Sequence, residues 1–187
     1  TYLIDFANKN NVVLKELPKH EIKKILPPNN QGIGALVDDY KYKTLDEIVN
    51  KQKESKVFIM LDGLEDPHNL GAILRSADAF GMDAIIVPKN RSVKLNSTVA
   101  KVSTGAIEHV DVCEVTNLTR TIKELKKKGF WVVGTDMDTE QSIHDIQVDT
   151  NLVVVIGSEG KGISRLVKEN CDYVVNIPMI GHVNSLN

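Results

Sequence analysis

Residues 57–81 read VFIMLDGLEDPHNLGAILRSADAFG. The opening run, VFIMLD, is continuously apolar up to its final Asp62 and has the length of one buried strand. A polar turn through Asp66, Pro67, His68 and Asn69 follows. Asn69 is expected to cap a helix, because its side-chain oxygen can accept from the free amides of a first turn. Leu70, Ile73, Leu74, Ala77 and Phe80 then recur at helical spacing and form one apolar stripe. Gly81 is the expected C-terminal stop. Arg75 and Asp78 lie off the stripe and, three apart, could pair on the surface. Taken alone, Asn69 is then a cap and Arg75 a solvated charge. Position argues for more: the turn sits at the carboxyl end of a strand, where open α/β sheets place their ligands.

Working outward, similar apolar runs appear at AIIVP (84–88), VDVCEV (110–115), FWVVGTD (130–136), LVVVIG (152–157) and YVVNIP (173–178), several separated by helical periodicity. Continuous apolar strands alternating with helices predict an α/β fold, a mostly parallel sheet with helices on both faces. The KELKKK run (123–128) is expected to be the solvated last turn of a helix stopped at Gly129, with a phosphate-contacting patch as the alternative. Ahead of the sheet, residues 1–37 read as helix (LIDFANKNN), strand (VVLKEL), helix (KHEIKKIL) and strand (IGALV), and the polar stretch 38–55 reads as a linker with one amphipathic piece at Leu45, Ile48 and Val49.

The totals narrow the function. Hydrophobic residues make up 42% of 187, enough for a core. A net charge of −2 gives no compositional case for nucleic-acid binding, although a local patch can serve. Cys113 and Cys171 have neither CxxC spacing nor a nearby His pair, which favours incidental thiols in a reducing cytosol. No apolar run approaches the roughly 18 residues that span a bilayer, and no signal peptide is evident.

Two further loops carry polar groups. VVVIGSEGKGISRL (153–166) runs a strand into Gly157, Gly160 and Gly162. Its GxxGxG spacing is neither the dinucleotide GxGxxG nor a Walker loop. Glu159 would repel a phosphate and suits a cationic ligand or an anchoring role. NIPMIGHVNSLN (176–187) ends a strand and brings Asn184, Ser185 and Asn187; His182 reads as a surface residue. The three loops supply Asn, Arg, Glu and Ser without paired carboxylates, a Ser-His-Asp order or a metal cluster. That speaks against hydrolysis and metal chemistry and for a cofactor held through backbone groups.

LEDPHNLGAILRSADAFG, VVVIGSEGKGIS and IPMIGHVNSLN, in that order, resemble the three motifs of the SpoU (TrmH-type) RNA 2′-O-methyltransferases of the SPOUT superfamily. The likeness covers residues 56–187. NNQGIGALVDDYKY looks like the end of the small α/β RNA-recognition domain that precedes such catalytic domains, and the whole is most similar to ribosomal RNA guanosine-2′-O-methyltransferases of the RlmB type. The resemblance implies domains at 1–40 (RNA recognition) and 56–187 (catalysis), joined by a linker at 41–55. It also implies a C-terminal trefoil knot, a homodimer with the active site at the subunit interface, and bent S-adenosylmethionine in the knot. Carried over by motif, Asn69, Arg75, Glu159, Ser185 and Asn187 form the catalytic set, and Gly134, Thr135, Gly157, Ile177, Met179 and Leu186 contact the cofactor. RNA is the implied partner, ribosomal first and transfer RNA second, with no metal and no membrane. The rival expectations are a catalytically silent RNA-binding relative and an unrelated doubly wound nucleotide-binding enzyme. The chain opens on Thr1, and the family pattern runs on past Asn187, so a longer parent chain is expected.

Overall fold

The computed structural model describes residues 2–26, 28 and 30–182. The chain divides into two compact units, 1–39 and 40–187. In the first, α1 (Tyr2–Lys9) and α2 (Lys19–Ile25) are helices, and the segments expected as strands, 12–17 and 33–37, form no strand among the described residues. Apolar content alone does not make a strand; its backbone groups need a partner ladder. Many of this unit's large apolar side chains are exposed, among them Val13, Leu36 and Val37.

The second unit holds a six-stranded sheet in the order β3-β2-β1-β5-β4-β6. The strands are β1 (Val57–Asp62), β2 (Ala84–Pro88), β3 (Asp111–Val115), β4 (Trp131–Thr135), β5 (Leu152–Gly157) and β6 (Tyr173–Val175), and every pairing is parallel. All six arise from the expected apolar runs. Alternation along each strand sends side chains to two separate cores. Phe58, Met60, Ile86, Cys113, Val153 and Val155 pack on one face with α6 (Leu118–Lys127) and α7 (Arg165–Lys168). Leu61, Ile85, Val87 and Val112 pack on the other with α4 (Pro67–Ala79) and α5 (Ser97–Val102).

Residues 41–55, expected as a linker, are largely built into this second unit. Lys43 bridges in parallel to Cys113 beside β3, its amide donating to Val112 O at 2.8 Å. Thr44 and Glu47 form a capping box for α3 (Leu45–Val49), and Ile48 is fully buried in the first core. The amphipathic piece at Leu45, Ile48 and Val49 is thus a lid on the sheet, because its apolar side has a face to cover.

The helix after β1 also starts elsewhere than expected. Asp66, not Asn69, is the N-cap, its carboxylate accepting from His68 N at 2.8 Å, and Pro67 takes the first helical position. That bond, with lesser help from the His68 ring, holds the Asp66 carboxyl below its usual value. Leu70, Leu74 and Ala77 are buried as the stripe requires, whereas Phe80 is 77% exposed. The helix ends at Ala79, so Phe80 has already turned away before Gly81 takes φ +67°. Gly71 is buried because a Cβ there would lie 2.6 Å from the Val102 side chain.

Candidate active site

β1 has β2 on one side and β5 on the other, so the chain leaves its carboxyl end in opposite directions. This switch point opens a crevice between the loops after β1 and β5. Asp62 and Gly157, the last residues of those strands, lie opposite one another in register. Beyond Gly157 the chain folds back at once: Ser158 N donates to Gly162 O at 3.2 Å, and Gly162 N donates to Ser158 O at 2.9 Å. Glu159, Gly160 and Lys161 form the tip, with Gly160 and Gly162 at φ +76° and +63°, which glycine adopts at little cost. The next segment is tied down by Ser164 N donating to Asp62 Oδ2 at 2.7 Å.

Gly134 and Gly157 sit where a side chain has no room. A Cβ on Gly157 would lie 2.0 Å from Gly162 C and 2.3 Å from Ile163 N, so its absence lets the loop after β5 close on itself. On Gly134 it would lie 2.7 Å from Ile163 Cδ1 and 2.9 Å from Cys171 Sγ, so its absence lets those side chains pack on β4.

Two of the catalytic candidates meet directly. Asn69 Nδ2 donates to Glu159 Oε1 at 2.8 Å, joining the loop after β5 to the first turn of α4 across the switch point. Glu159 therefore takes the anchoring role, with Asn69 as its partner. Arg75 is exposed and makes no hydrogen bond or ion pair among the described residues, so the anticipated pair with Asp78 does not form. Six residues at about 100° each turn Arg75 by about 120° around the helix from Asn69. Within one chain the two point to different sides.

The cofactor candidates gather at the carboxyl ends of β4, β5 and β6. Gly134 pairs with Val155 and Val174, and Thr135 with Val175. The Thr135 hydroxyl donates to Val155 O at 3.1 Å. After Thr135, Asp136 receives Lys168 Nζ at 2.7 Å, which with Asp138 N holds its carboxyl below the usual range. The chain then runs beside β6: Asn176 Nδ2 donates to Thr139 O, and Asn176 N to Gln141 O. Ile177 and Met179 emerge there, exposed, with Met137 also exposed beyond β4. Exposed apolar side chains beside strand-end backbone groups suit an adenosyl group bearing an apolar face and a polar edge. Ser185, Leu186 and Asn187 lie outside the described residues, as does part of the path on which the expected knot depends.

Two of the four lysines in the basic run 123–128 are paired. Lys126 pairs with Asp172 at 2.7 Å and Lys128 with Asp46 at 3.3 Å, which favours the structural reading. Burial pushes the Cys113 thiol up to about 12 and that of Cys171 to about 11. Among the described residues no three His, Cys, Asp or Glu side chains converge on a metal position, and no helix is long and apolar enough to cross a membrane.

A parallel α/β sheet with two loops joined across its switch point has the place where such folds bind their ligands. The SpoU rRNA Methylase family model matches residues 56–187, and the chain belongs to that family of S-adenosylmethionine-dependent RNA methyltransferases. A Staphylococcus epidermidis protein named as a TrmH family tRNA/rRNA methyltransferase is 52% identical over 184 residues, 97% of this chain and 74% of its own length. The SpoU methyltransferase AviRb from Streptomyces viridochromogenes, solved with AdoMet, is 27% identical at a TM-score of 0.70, covering 79% of this chain and 59% of that one. The TrmH/SpoU tRNA modifying enzyme of A. aeolicus is 27% identical at a TM-score of 0.64, covering 76% and 72%.

Asp62, Asp66 and Gly71 escaped the sequence reading. Asp66 had a signal, since Asp followed by Pro marks a helix start. Asp62 and Gly71 act through partners distant in sequence, Ser164 and Val102, and carried none.

Proposed function

We propose that the protein methylates a ribose 2′-hydroxyl of RNA, a guanosine of large-subunit ribosomal RNA being the first candidate and transfer RNA the second. The observation that carries this reading is the Asn69–Glu159 bond across the switch point. It brings the polar groups of the first two motif loops together at the carboxyl end of the sheet. RNA is required because only RNA offers the 2′-hydroxyl.

When bound, S-adenosylmethionine supplies an electrophilic methyl group. Gly134, Thr135, Gly157, Ile177, Met179 and Leu186 are the residues proposed to hold it. The task left to the protein is to align the hydroxyl and manage its proton. Glu159 fixes Asn69, whose remaining amide groups can orient a ribose. Ser185 and Asn187 are proposed to close the site from the third loop. Arg75 faces away from Asn69 and has no partner among the described residues, which supports a composite site in a homodimer whose second copy supplies Arg75. A guanidinium stays protonated at ordinary pH, so a charged Arg75 gripping the adjacent phosphate and stabilising the forming alkoxide is physically easier than a neutral base. Residues 1–39 are proposed to belong to a substrate-recognition domain, and the two free thiols suit a reducing cytoplasm.

The test is transfer of labelled methyl groups to unmodified ribosomal and transfer RNA transcripts, followed by nucleoside mapping. The expected product is a 2′-O-methylnucleoside. Arg75→Ala is expected to abolish transfer while S-adenosylhomocysteine binding persists. Label on a base, or full activity in Arg75→Ala, would refute the reading.

A further inference from the structure

A cleft of about 310 Å³ with both polar and apolar walls, the latter from Pro88, Leu118, Leu166 and Val167, opens at the carboxyl ends of β1, β2 and β3, beside the crevice already described. None of Gly134, Thr135, Gly157, Ile177 or Met179 lines it, so it is separate from the proposed cofactor site. Its walls include Asp62, Arg91, Thr116, Asn117, Thr119 and Ser164. It shares Asp62 and Ser164 with the clasp that fixes the loop after β5, so an occupant would lie next to the reacting centre.

The wall chemistry is mixed in a specific way. Arg91 is exposed and forms no hydrogen bond or ion pair among the described residues. Its backbone is held at φ +56°, a conformation that costs a non-glycine residue energy and is kept mainly where surrounding structure or function demands it. The Asn117 side-chain oxygen is committed to Arg120 N at 2.9 Å, which leaves its amide N–H groups as donors. Thr116 and Thr119 add hydroxyls. Asp62 has one oxygen committed to Ser164 N, and the other accepts nothing among the described residues. A bare phosphate would meet that carboxylate as a like charge. A nucleotide satisfies both signs: its phosphate takes the Arg91 fork, and an amino or imino N–H of its base faces Asp62. The cleft is near the lower end of ligand-pocket volumes, about 300–1,000 Å³, as one nucleotide requires.

We propose that this cleft is a subsite for a single-stranded RNA nucleotide flanking the methylated one, with Arg91 holding its phosphate and Asp62 reading a donor edge of its base. The proposal rests on the RNA-methyltransferase reading above. An unpaired nucleotide fits because only splayed bases expose such edges to side chains.

The test uses the whole chain, saturated with S-adenosylhomocysteine, and a labelled short single-stranded RNA of mixed sequence. Arg91→Ala is expected to weaken RNA binding about tenfold and to lower the slope of log K against log salt by about 0.7, the share of one phosphate contact. Affinity for S-adenosylhomocysteine and melting temperature stay unchanged, and Arg91→Lys restores part of the loss. Asp62→Asn keeps an oxygen for Ser164 N and presents a donor in place of the acceptor, so its base preference in the probe shifts. With 4-thiouridine in the probe, crosslinks are expected at 90–91 or 116–119 in the wild type and are lost in Arg91→Ala. Unchanged RNA affinity and crosslinks elsewhere would overturn the subsite, as would loss of S-adenosylhomocysteine binding in Arg91→Ala, which would make the cleft part of the cofactor site. Failure of the parent reading looks different: the wild type then transfers no methyl group to any transcript.

Discussion

Replacing Gly157 by Ala tests whether the loop after β5 works by closing on itself. The new Cβ would lie 2.0 Å from Gly162 C, 2.3 Å from Gly162 O and 2.3 Å from Ile163 N. Carbon atoms ordinarily approach to about 3.5–4.0 Å, so the 162–163 backbone must retreat by about 1.5 Å. That backbone is pinned by the two Ser158–Gly162 hydrogen bonds and, one residue on, by Ser164 N to Asp62. Weakening two or three such bonds at about 1 kcal/mol each, with about 1–3 kcal/mol of overpacking, gives a loss of about 3–6 kcal/mol. At about 2–4 °C per kcal/mol for a chain of this size, the melting temperature falls by about 6–24 °C. Gly160→Ala is the control. It has no atom within 4 Å of its Cβ and only its φ of +76° to strain, at about 1–2 kcal/mol. Calorimetric melting and titration with S-adenosylhomocysteine read both variants. Gly157→Ala should melt lower than Gly160→Ala and bind the cofactor product at least about tenfold more weakly. If the two variants melt together and bind alike, the closure argument is wrong.

Glu159→Gln keeps an acceptor for Asn69, whereas Asn69→Asp sets two carboxylates against each other at 2.8 Å; methyl transfer should survive far better in the first, and equal loss in both would uncouple the pair from catalysis. Asp66→Ala removes the true cap and should lower the melting temperature by a few degrees, while Asn69→Ala leaves it nearly unchanged. Lys168 keeps the Asp136 carboxyl below its usual value, so this stabilisation is present above the unfolded value of about 3.9 and is lost as pH falls towards the folded one. Lys168→Met should therefore lose less melting temperature than the wild type between about pH 5 and pH 3. Cys113 and Cys171, raised to about 12 and about 11, should resist iodoacetamide at about pH 8 until guanidinium unfolds the chain.

The catalytic sheet was legible because its strands are buried on both faces, so VFIMLD, AIIVP and LVVVIG are apolar along almost every position. Residues 12–17 and 33–37 share that apolar look but have no ladder to join, and hydropathy cannot see a missing partner. Phe80 fitted the helical stripe by spacing, yet a stripe ends where the helix ends, and the stop lay one residue before it. Ile48 shows the reverse: in a polar stretch, one apolar residue in the right register became core because the Cys113 side of the sheet needed cover.

The site divides along the same line. Asn69, Glu159 and Gly157 were singled out by the resemblance of their motifs, and the switch point then brings their loops together. What spacing could not supply is direction. The turn of about 120° between Asn69 and Arg75 follows from helix geometry. It becomes informative only once the Asn69 side of the helix is known to face Glu159. A guanidinium then stands on the far side, exposed and unpaired among the described residues. A single copy that needs both groups at one ribose would have to unwind part of α4, against the buried Leu70 and Leu74 that hold it to the sheet, at about 2–5 kcal/mol for each leucine lost from the core. A second copy supplying Arg75, as proposed above, would leave α4 intact. The economy of that solution is the physical case for expecting activity to follow dimer concentration, and mixing Arg75→Ala with Glu159→Ala protein should restore activity to one site in each mixed pair if the case is sound.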